Sequence, residues 1–434
     1  MNPGWRRPTP GIGAGPGRWR AAVASLEHRQ YRWLFASNMA FFLAMQGQML
    51  VRSMITFELT SSPLDLGFVN FAVAIPMMIM SPFGGVVADR FERRRLIMLG
   101  QGALILSELL VVALLVTGQL QFWHLVATAI IMGCVFPFTM PARMAIVVNI
   151  IGKRGLQNAM ALSMGGMNAT RILGPTLSGF LVPILGLSGA FSIGIVLYVI
   201  ALLCLLGVHR CPPLQGARDL SVGRDLAEGF RYIGANRLVL VLLAFGILPM
   251  FLAMPFQTLL VVFTEDVWAV GSRGLGLLYA VSGLGGLLGS IYVAQRAETS
   301  GRLGVMLGAL VGFASFLLAF AMSPWFLLAL PLVLAANVFS SVFGTLNNTA
   351  IQILIPDRVR GRVSSFLMMS FGITPLGTLP MAAVAESFGA PVAVAGASVL
   401  VIAVGLLFYA SSPSLRSVDA RTREALENED LEQT

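Results

Sequence analysis

The stretch Gly84-Gly85-Val86-Val87-Ala88-Asp89-Arg90-Phe91-Glu92-Arg93-Arg94-Arg95 joins two long apolar runs in the first quarter of the chain. Glycine at position 85 allows two helices to approach closely, and the arginines are suited to the anionic inner surface of a membrane. Asp89 can interact with the N terminus of a neighbouring helix, which carries partial positive charge. The stretch therefore predicts a short basic loop between two membrane-spanning helices.

The composition extends this prediction to the whole chain. Of its 434 residues, 56% are hydrophobic and 11% are charged, whereas an average soluble protein has about 25% charged residues. The mean hydropathy of +0.82 excludes an ordinary soluble enzyme and indicates a polytopic membrane protein. The three cysteines form no CxxC pair, so neither a disulfide framework nor a zinc site is expected.

Charges and Gly/Pro clusters divide the chain into twelve apolar segments, each near the length of about 20 residues that crosses a bilayer. We number them spans 1 to 12: residues 33–56, 66–87, 96–116, 122–142, 159–181, 189–208, 237–261, 274–294, 304–322, 325–348, 363–384 and 391–410. The segments lack the alternation of barrel strands, so all are predicted to be helices. The expected fold class is an all-α membrane protein.

The basic residues predict the orientation of these spans. Of 29 Lys and Arg residues, 26 lie on the side that carries both termini, Arg273 lies on the other side, and Arg52 and Arg171 lie within spans. The positive-inside rule then places both termini in the cytosol. The net charge of +9 is explained by topology, so no nucleic-acid partner is expected.

The spans form two halves of six. The predicted limits are a disordered cytosolic arm at 1–30, an N-terminal half at 31–208, a cytosolic linker at 209–236, a C-terminal half at 237–411 and a cytosolic tail at 412–434. In the linker, Val222, Leu226 and Phe230 recur at helical spacing, which favours a helix on the membrane surface; a solvated tether is the alternative. Two parallel six-helix halves with a midplane site are typical of secondary transporters.

The opening stretch resembles the signature loop of the major facilitator superfamily, GxxxDRxGRR. The matching residues are Gly85, Asp89, Arg90, Arg93 and Arg94, and Glu92 stands where the pattern has glycine. The resemblance implies a twelve-helix fold in two pseudo-symmetric halves. It also implies that these residues, with Arg143 after span 4, help to lock the halves in the outward-facing conformation.

Further segments look like the exporter branch of this superfamily that includes the enterobactin exporter and macrolide efflux, the transmembrane secretion effectors. They are Glu58–Pro63, Pro141–Arg143, Arg171–Pro175 and Ile355–Val363. In span 5, Gly174, Pro175, Ser178 and Gly179 resemble the antiporter motif GPxxGG, with Ser178 in place of one glycine. The motif implies export, and a helix shaped only for packing is the alternative.

Charged side chains within the bilayer are costly and therefore functional candidates. Glu108 in span 3 and Arg171 in span 5 are predicted near mid-depth, where they would face each other or share a polar network. Glu108 is then a candidate proton carrier, and a permanent structural ion pair is the alternative. Arg52 and Glu58, with Asp65, are expected at the outer ends of spans 1 and 2, as a gate pair or, more simply, at a solvated interface.

In this superfamily, spans 1, 4, 7 and 10 line a central cavity. The resemblance implies the following cavity residues: Asn38, Gln46, Gln48, Trp123, Phe136, Phe251, Gln257 and Asn337.

The sequence contains no phosphate-binding loop, no GxSxG elbow and no HExxH pair. No enzymatic activity, cofactor or metal is expected. The favoured function is a multi-pass transporter of the inner (plasma) membrane that works as a monomer and exports a small amphipathic molecule, drug-like or siderophore-like, in exchange for protons. A transport-inactive sensor or scaffold, and a lipid transporter of the same fold, are the alternatives.

Overall fold

The structure is a computed structural model that describes residues 24–209, 231, 233–295, 301–355 and 374–433. The side chains at 85, 86, 89, 153, 154, 375, 425, 426 and 428–433 lie outside this description. Most of the predicted arm and linker, and the first part of span 11, also lie outside it. Throughout the described ranges the regular secondary structure is helical.

Spans 1, 2 and 3 are the helices Arg29–Thr60, Pro63–Arg90 and Arg93–Val116. One long helical run, Phe122–Leu206, holds spans 4, 5 and 6. It is divided at Gly152 and Gly186, which both have φ of 70°. Glycine reaches this left-handed region without a steric penalty, so both positions can turn the chain. The resulting segments cover 122–151, 153–185 and 187–206.

In the second half, span 7 is broken into Arg237–Leu252 and Phe256–Val262, followed by one π-helical turn at Phe263–Val267. Pro255 lies at the break, where its missing N–H prevents a continuous helix. The remaining spans are Gly271–Gln295, Arg302–Ala321, Phe326–Leu354, the described part of span 11 at Thr374–Phe388, and Ala390–Ser411.

The predicted twelve-span, all-helical fold is confirmed. Ten helices in the described residues are long and apolar enough to cross a membrane. One of these, Gly155–Leu206, comprises spans 5 and 6, and the shorter helix Thr374–Phe388 belongs to span 11.

The segment predicted as the tail is helical. It forms the helices Pro413–Arg416 and Val418–Gln433. Asp419 Oδ1 accepts a hydrogen bond of 3.0 Å from the backbone N–H of Leu303, at the start of span 9. The carboxylate thus compensates the positive end of that helix and fixes the tail against the second half.

Spans 5 and 8 bring the two halves together. Gly179 of span 5 lies against Gly276 of span 8 so closely that a Cβ atom at position 179 would be 2.6 Å from the Cα of Gly276. Further along the two helices, Ile172 packs on Gly283. The two helices therefore run antiparallel in contact from the predicted outer side to the middle of the bundle.

Spans 2 and 11 make a second contact between the halves, also on the predicted outer side. Gly67 of span 2 faces Ala382. A Cβ atom added at position 67 would be 2.8 Å from the Cβ of Ala382. Glu386 Oε2 accepts hydrogen bonds from Ser62 Oγ at 3.0 Å and from the N–H of Leu64 at 3.2 Å. A carboxylate of the second half thus caps the N terminus of span 2 in the first. These contacts close the predicted outer side.

We predict that Gly179→Val opens this side, because a larger side chain would overlap the backbone of Gly276. Overpacking of this kind destabilises the closed state by about 1–3 kcal/mol. The population of the closed state relative to the open state should therefore fall at least about fivefold. The measurement is the distance distribution between spin labels at positions 119 and 322, in the exposed loops of opposite halves, with the three native cysteines replaced.

The matched control is Gly165→Ala in the same span, since a Cβ there would meet no atom within 4 Å. A Gly179→Val protein with the distance distribution of the parent would contradict the packing argument.

We also predict that Glu386→Ala lowers the closed population about fivefold in the same label pair, since an exposed hydrogen-bonded carboxylate contributes about 1 kcal/mol. Glu386→Gln should shift it less, because an amide oxygen still accepts from Ser62 and Leu64. Ser387→Ala is the control, since the Ser387 hydroxyl bonds only the Ala383 carbonyl of its own helix. Equal distributions for Glu386→Ala and Ser387→Ala would show that the cap does not hold the halves together.

Candidate functional site

A buried ion pair joins spans 1 and 3. Arg52 Nη2 donates to Glu108 Oε1 at 2.5 Å, and the two side chains are 8% and 2% exposed. This placement differs from both expectations for these residues: the partner of Glu108 is Arg52 rather than Arg171, and Arg52 lies inside the half rather than at an outer interface. A turn and a half of helix separates Arg52 from Glu58, which is exposed, so the two do not form a gate pair.

The ion pair leaves one polar atom of each partner unused. Glu108 Oε2 and Arg52 Nη1 are buried and have no hydrogen-bond partner among the described residues. A buried polar atom without a partner is costly, and such sites are often functional. The carboxylate therefore has an oxygen available to hold a proton.

A second buried arginine, Arg143 of span 4, has only neutral neighbours in the described part of the chain. Its Nη1 donates to Asn38 Oδ1 at 2.7 Å, and its Nη2 donates to Gln101 Oε1 at 2.8 Å. The guanidinium also lies 4.1 Å from the centre of the Phe41 ring, within range of a cation–π interaction. Arg143 thus holds spans 1, 3 and 4 together inside the first half.

Tyr198 of span 6 connects the two arginine sites. Its ring packs on Phe41, with centroids 5.4 Å apart, and its carbonyl accepts from Gln101 Nε2 at 2.6 Å. Its hydroxyl lies within electrostatic reach of Arg52, Glu108 and Arg143. The two buried arginine sites thus lie near each other among spans 1, 3, 4 and 6.

Gln101 and Tyr198 were not among the predicted site residues. Gln101 precedes Glu108 by two helical turns and so lies on the same face of span 3, which is a pattern that could have identified it. No pattern in the sequence distinguishes Tyr198.

The signature loop anchors the cytosolic ends of the first half. Arg93 is buried and donates to the Ala88 carbonyl at 3.3 Å and to Asn149 Oδ1 of span 4 at 3.0 Å. Glu92 is the N-cap of span 3 and accepts from the N–H of Arg95 at 3.2 Å. Carboxylates are favoured at this position, so Glu92 has a structural use of its own.

The other loop residues contribute less to packing. Arg94 makes one long contact of 3.5 Å to the Leu206 carbonyl, and Arg90 is exposed. Gly85 and Asp89 lie in the helix of span 2, but their side chains are outside the described part, so their role in a conformational lock remains a prediction.

The antiporter-like motif of span 5 contacts two different helices. Gly174 lies against span 1, where a Cβ at position 174 would be 2.8 Å from the Cβ of Gln46. Ser178 also faces span 1, at Gly47, whereas Gly179 faces span 8. Pro175 is buried between them. The motif thus links packing within the first half to contact between the halves.

Arg171, in the same span, is exposed and forms no hydrogen bond or ion pair with the described residues. It lies within electrostatic reach of Tyr279 of span 8, whose hydroxyl donates to the carbonyl of Gln257 in span 7 at 3.2 Å. Arg171 is therefore a free cation beside the junction of the halves.

The predicted cavity residues separate into groups. Asn38, Gln48 and Asn337 are buried within their halves: Asn38 binds Arg143, Gln48 Nε2 donates to the Phe191 carbonyl at 3.3 Å, and Asn337 Nδ2 donates to the Val333 carbonyl of its own helix at 2.8 Å. The half-buried residues, which remain candidates for the cavity, are Gln46, Phe136, Phe251 and Gln257.

Trp123 differs from its prediction. It is 71% exposed at the start of span 4. With Phe68, Phe71 and Asp65 of span 2 it lines a pocket of about 360 Å³ that belongs to the first half alone. Trp123 therefore lies on the side of one half rather than between the two. Among the described residues, no group of His, Cys, Asp and Glu could hold a metal ion.

Several named transporters are similar to this chain in sequence. The chain is 24% identical over 354 residues to the staphyloferrin A transporter of Staphylococcus aureus, covering 79% of this chain and 86% of that protein. It is 28% identical over 340 residues to the enterobactin exporter EntS of Escherichia coli, covering 75% of this chain and 78% of that one.

Solved transporters share the architecture at lower identity. The nucleoside transporter NupG superposes with a TM-score of 0.72 at 15% identity, over 88% of this chain and 98% of that chain. A bacterial homologue of the lysosomal transporter Spinster, in an inward-facing and unoccupied conformation, gives a TM-score of 0.69 at 15% identity, over 95% and 99%.

The family model of the transmembrane secretion effectors matches residues 20–434. The protein is thus a multi-pass membrane transporter of a small molecule, and it belongs to the transmembrane secretion effector family of the major facilitator superfamily.

Proposed function

We propose that this protein is an exporter of the plasma membrane that moves a small amphipathic molecule out of the cell in exchange for protons. The observation that carries the proposal is the buried pair of Arg52 and Glu108. Glu108 is the one acidic residue that lies within any of the twelve spans of the sequence. An ionisable group at that position is expected to be functional, since its placement in the bilayer is costly.

The relatives support the substrate class and the direction. One is named as an exporter of enterobactin and another as a transporter of staphyloferrin A, so a siderophore-like molecule is a natural candidate beside drugs. The antiporter-like sequence in span 5 supports export through its resemblance to the motif of exchangers, and its Gly179 contributes to the contact that closes the predicted outer side.

Glu108 is suited to carry the proton. In its ionised form it accepts from Arg52, and its Oε2 atom is available to a proton. A proton there would neutralise the carboxylate and weaken its attraction to Arg52. Span 1 would then be less tightly held by span 3. Because span 1 also packs on Gly174 of span 5, proton binding can change the surface that faces the other half.

The remaining features of the proposal follow from the sequence. The basic residues place both termini in the cytosol. The arm at 1–30, the linker at 209–236 and the tail at 412–434 would then be cytosolic, and Asp89 with Arg90 and Arg94 would act in the conformational lock. Since one chain supplies both halves, a monomer contains the whole path.

We predict that Glu108→Gln slows coupled transport strongly while leaving the fold intact. Glutamine keeps the shape of the side chain and an oxygen that accepts from Arg52, but it cannot take up a proton. In proteoliposomes with a pH-sensitive dye inside, the parent should move protons when substrate is added, and the variant should do so at least about tenfold more slowly, as is typical for loss of a proton-transfer group. The substrates are a panel of macrolides, cationic dyes and siderophores.

Ser107→Ala is the matched control, because the Ser107 hydroxyl is buried next to Glu108 but bonds only the Leu104 carbonyl of its own helix. Unchanged proton dependence in Glu108→Gln would refute Glu108 as the carrier. Absence of flux for every substrate with well-folded parent protein would refute export of drugs and siderophores, and would favour a sensor or scaffold.

A further inference from the structure

Arg171 lies about halfway along span 5 and has no counter-ion at its depth. Within the spans of the sequence the only acidic residue is Glu108, and its carboxylate is bonded to Arg52. Charged residues inside a bilayer almost always face the interior of the bundle or a water-filled cavity and mark substrate pathways. The direction in which Arg171 points therefore decides its role.

The faces of span 5 show this direction. At 100° per residue, Leu173, Leu177, Phe180 and Ile184 share one side of the helix; all four are large, apolar and 45–70% exposed. A surface of this composition is suited to lipid. Arg171 lies on the opposite side of the helix from this surface.

The side that carries Arg171 faces the space between the halves. Asn168 and Met164 lie on it and are also exposed. Ile172, the next residue, packs on Gly283 of span 8, and Gly174 packs on Gln46 of span 1. The side chain of Arg171 thus emerges between span 1 of the first half and span 8 of the second, near Tyr279.

A comparison with Arg143 shows what distinguishes this site. Arg143 also lacks an acidic partner among the described residues, but Asn38, Gln101 and the ring of Phe41 surround it, and it is 2% exposed. Both of its terminal nitrogens donate within the protein. Arg171 is exposed, and its guanidinium makes no hydrogen bond to the residues that the structure describes.

We propose that Arg171 binds an anionic group of the transported molecule, a carboxylate or a similar planar oxygen anion. A guanidinium presents a fork of donors that matches a carboxylate in two parallel hydrogen bonds. The hydroxyl of Tyr279, which donates to the Gln257 carbonyl, lies within electrostatic reach of Arg171. This inference deepens the proposed function and rests on it: the substrates are amphipathic anions rather than neutral or cationic amphiphiles.

The test uses a matched pair of fluorescent probes, pyrenebutyrate and its uncharged amide. Binding is measured with the full chain in nanodiscs of zwitterionic lipid, with empty nanodiscs as the blank. The parent should bind the carboxylate about tenfold more tightly than the amide, the size expected for a charge-assisted hydrogen bond. Arg171→Gln should bind both probes equally, and Arg171→Lys should retain part of the preference because it keeps the charge.

Asn168→Ala is the control variant, since it alters the same exposed side one turn away and keeps the arginine; it should bind as the parent does. Equal binding of both probes by the parent, no binding of either, or a preference that persists in Arg171→Gln would overturn the inference. Melting temperatures of the variants within a few degrees of the parent exclude misfolding as the cause.

The binding assay with Arg171 variants and the transport assay test different claims. Binding of the carboxylate through Arg171 without any export would leave this inference standing and refute the proposed function. Export that is equally fast in the parent and in Arg171→Gln, for neutral and anionic substrates alike, would refute the inference and leave the proposed function standing.

Discussion

The arrangement of this structure depends on the high free-energy cost of placing a charged side chain in a bilayer. Four ionisable side chains meet this cost in three ways. They are Arg52, Glu108 and Arg171 within the described spans, and Arg143 at the end of span 4. Arg52 and Glu108 pair with each other, Arg143 is surrounded by amides and an aromatic ring, and Arg171 faces the space between the halves. These four side chains all lie in the first half. The second half meets the first through backbone and glycine contacts and through the carboxylate of Glu386.

Much of the architecture could be predicted because membrane helices have a strong sequence pattern. The twelve apolar segments, the all-helical class and the family were predicted from hydropathy and from the loop at Gly84–Arg95. Apolar runs of about 20 residues have few alternative structures in lipid. The helices proved longer than the apolar segments, as in Arg29–Thr60 and Phe326–Leu354, since hydropathy does not record the polar turns beyond the membrane.

The candidate site was harder to predict, because depth along a helix does not give direction around it. Glu108 and Arg171 were placed at similar depth, yet the partner of Glu108 is Arg52 of span 1. No sequence pattern indicates which side of span 1 meets span 3. No sequence pattern indicated a role for Glu386. Its carboxylate caps the N terminus of a helix more than 300 positions away in the sequence. Such contacts follow from how the halves meet, which sequence alone does not specify.

The environment of Arg143 has an electrical consequence. No acid pairs with this guanidinium among the described residues of the first half, so no neighbour described there cancels its positive charge in the field across the membrane. A full crossing of one elementary charge corresponds to about 2.3 kcal/mol per 100 mV. If the halves rock so that Arg143 shifts by even a fraction of the membrane thickness, part of this energy enters the conformational equilibrium. The membrane voltage, as well as the proton gradient, would then set the balance between the two orientations of the transporter.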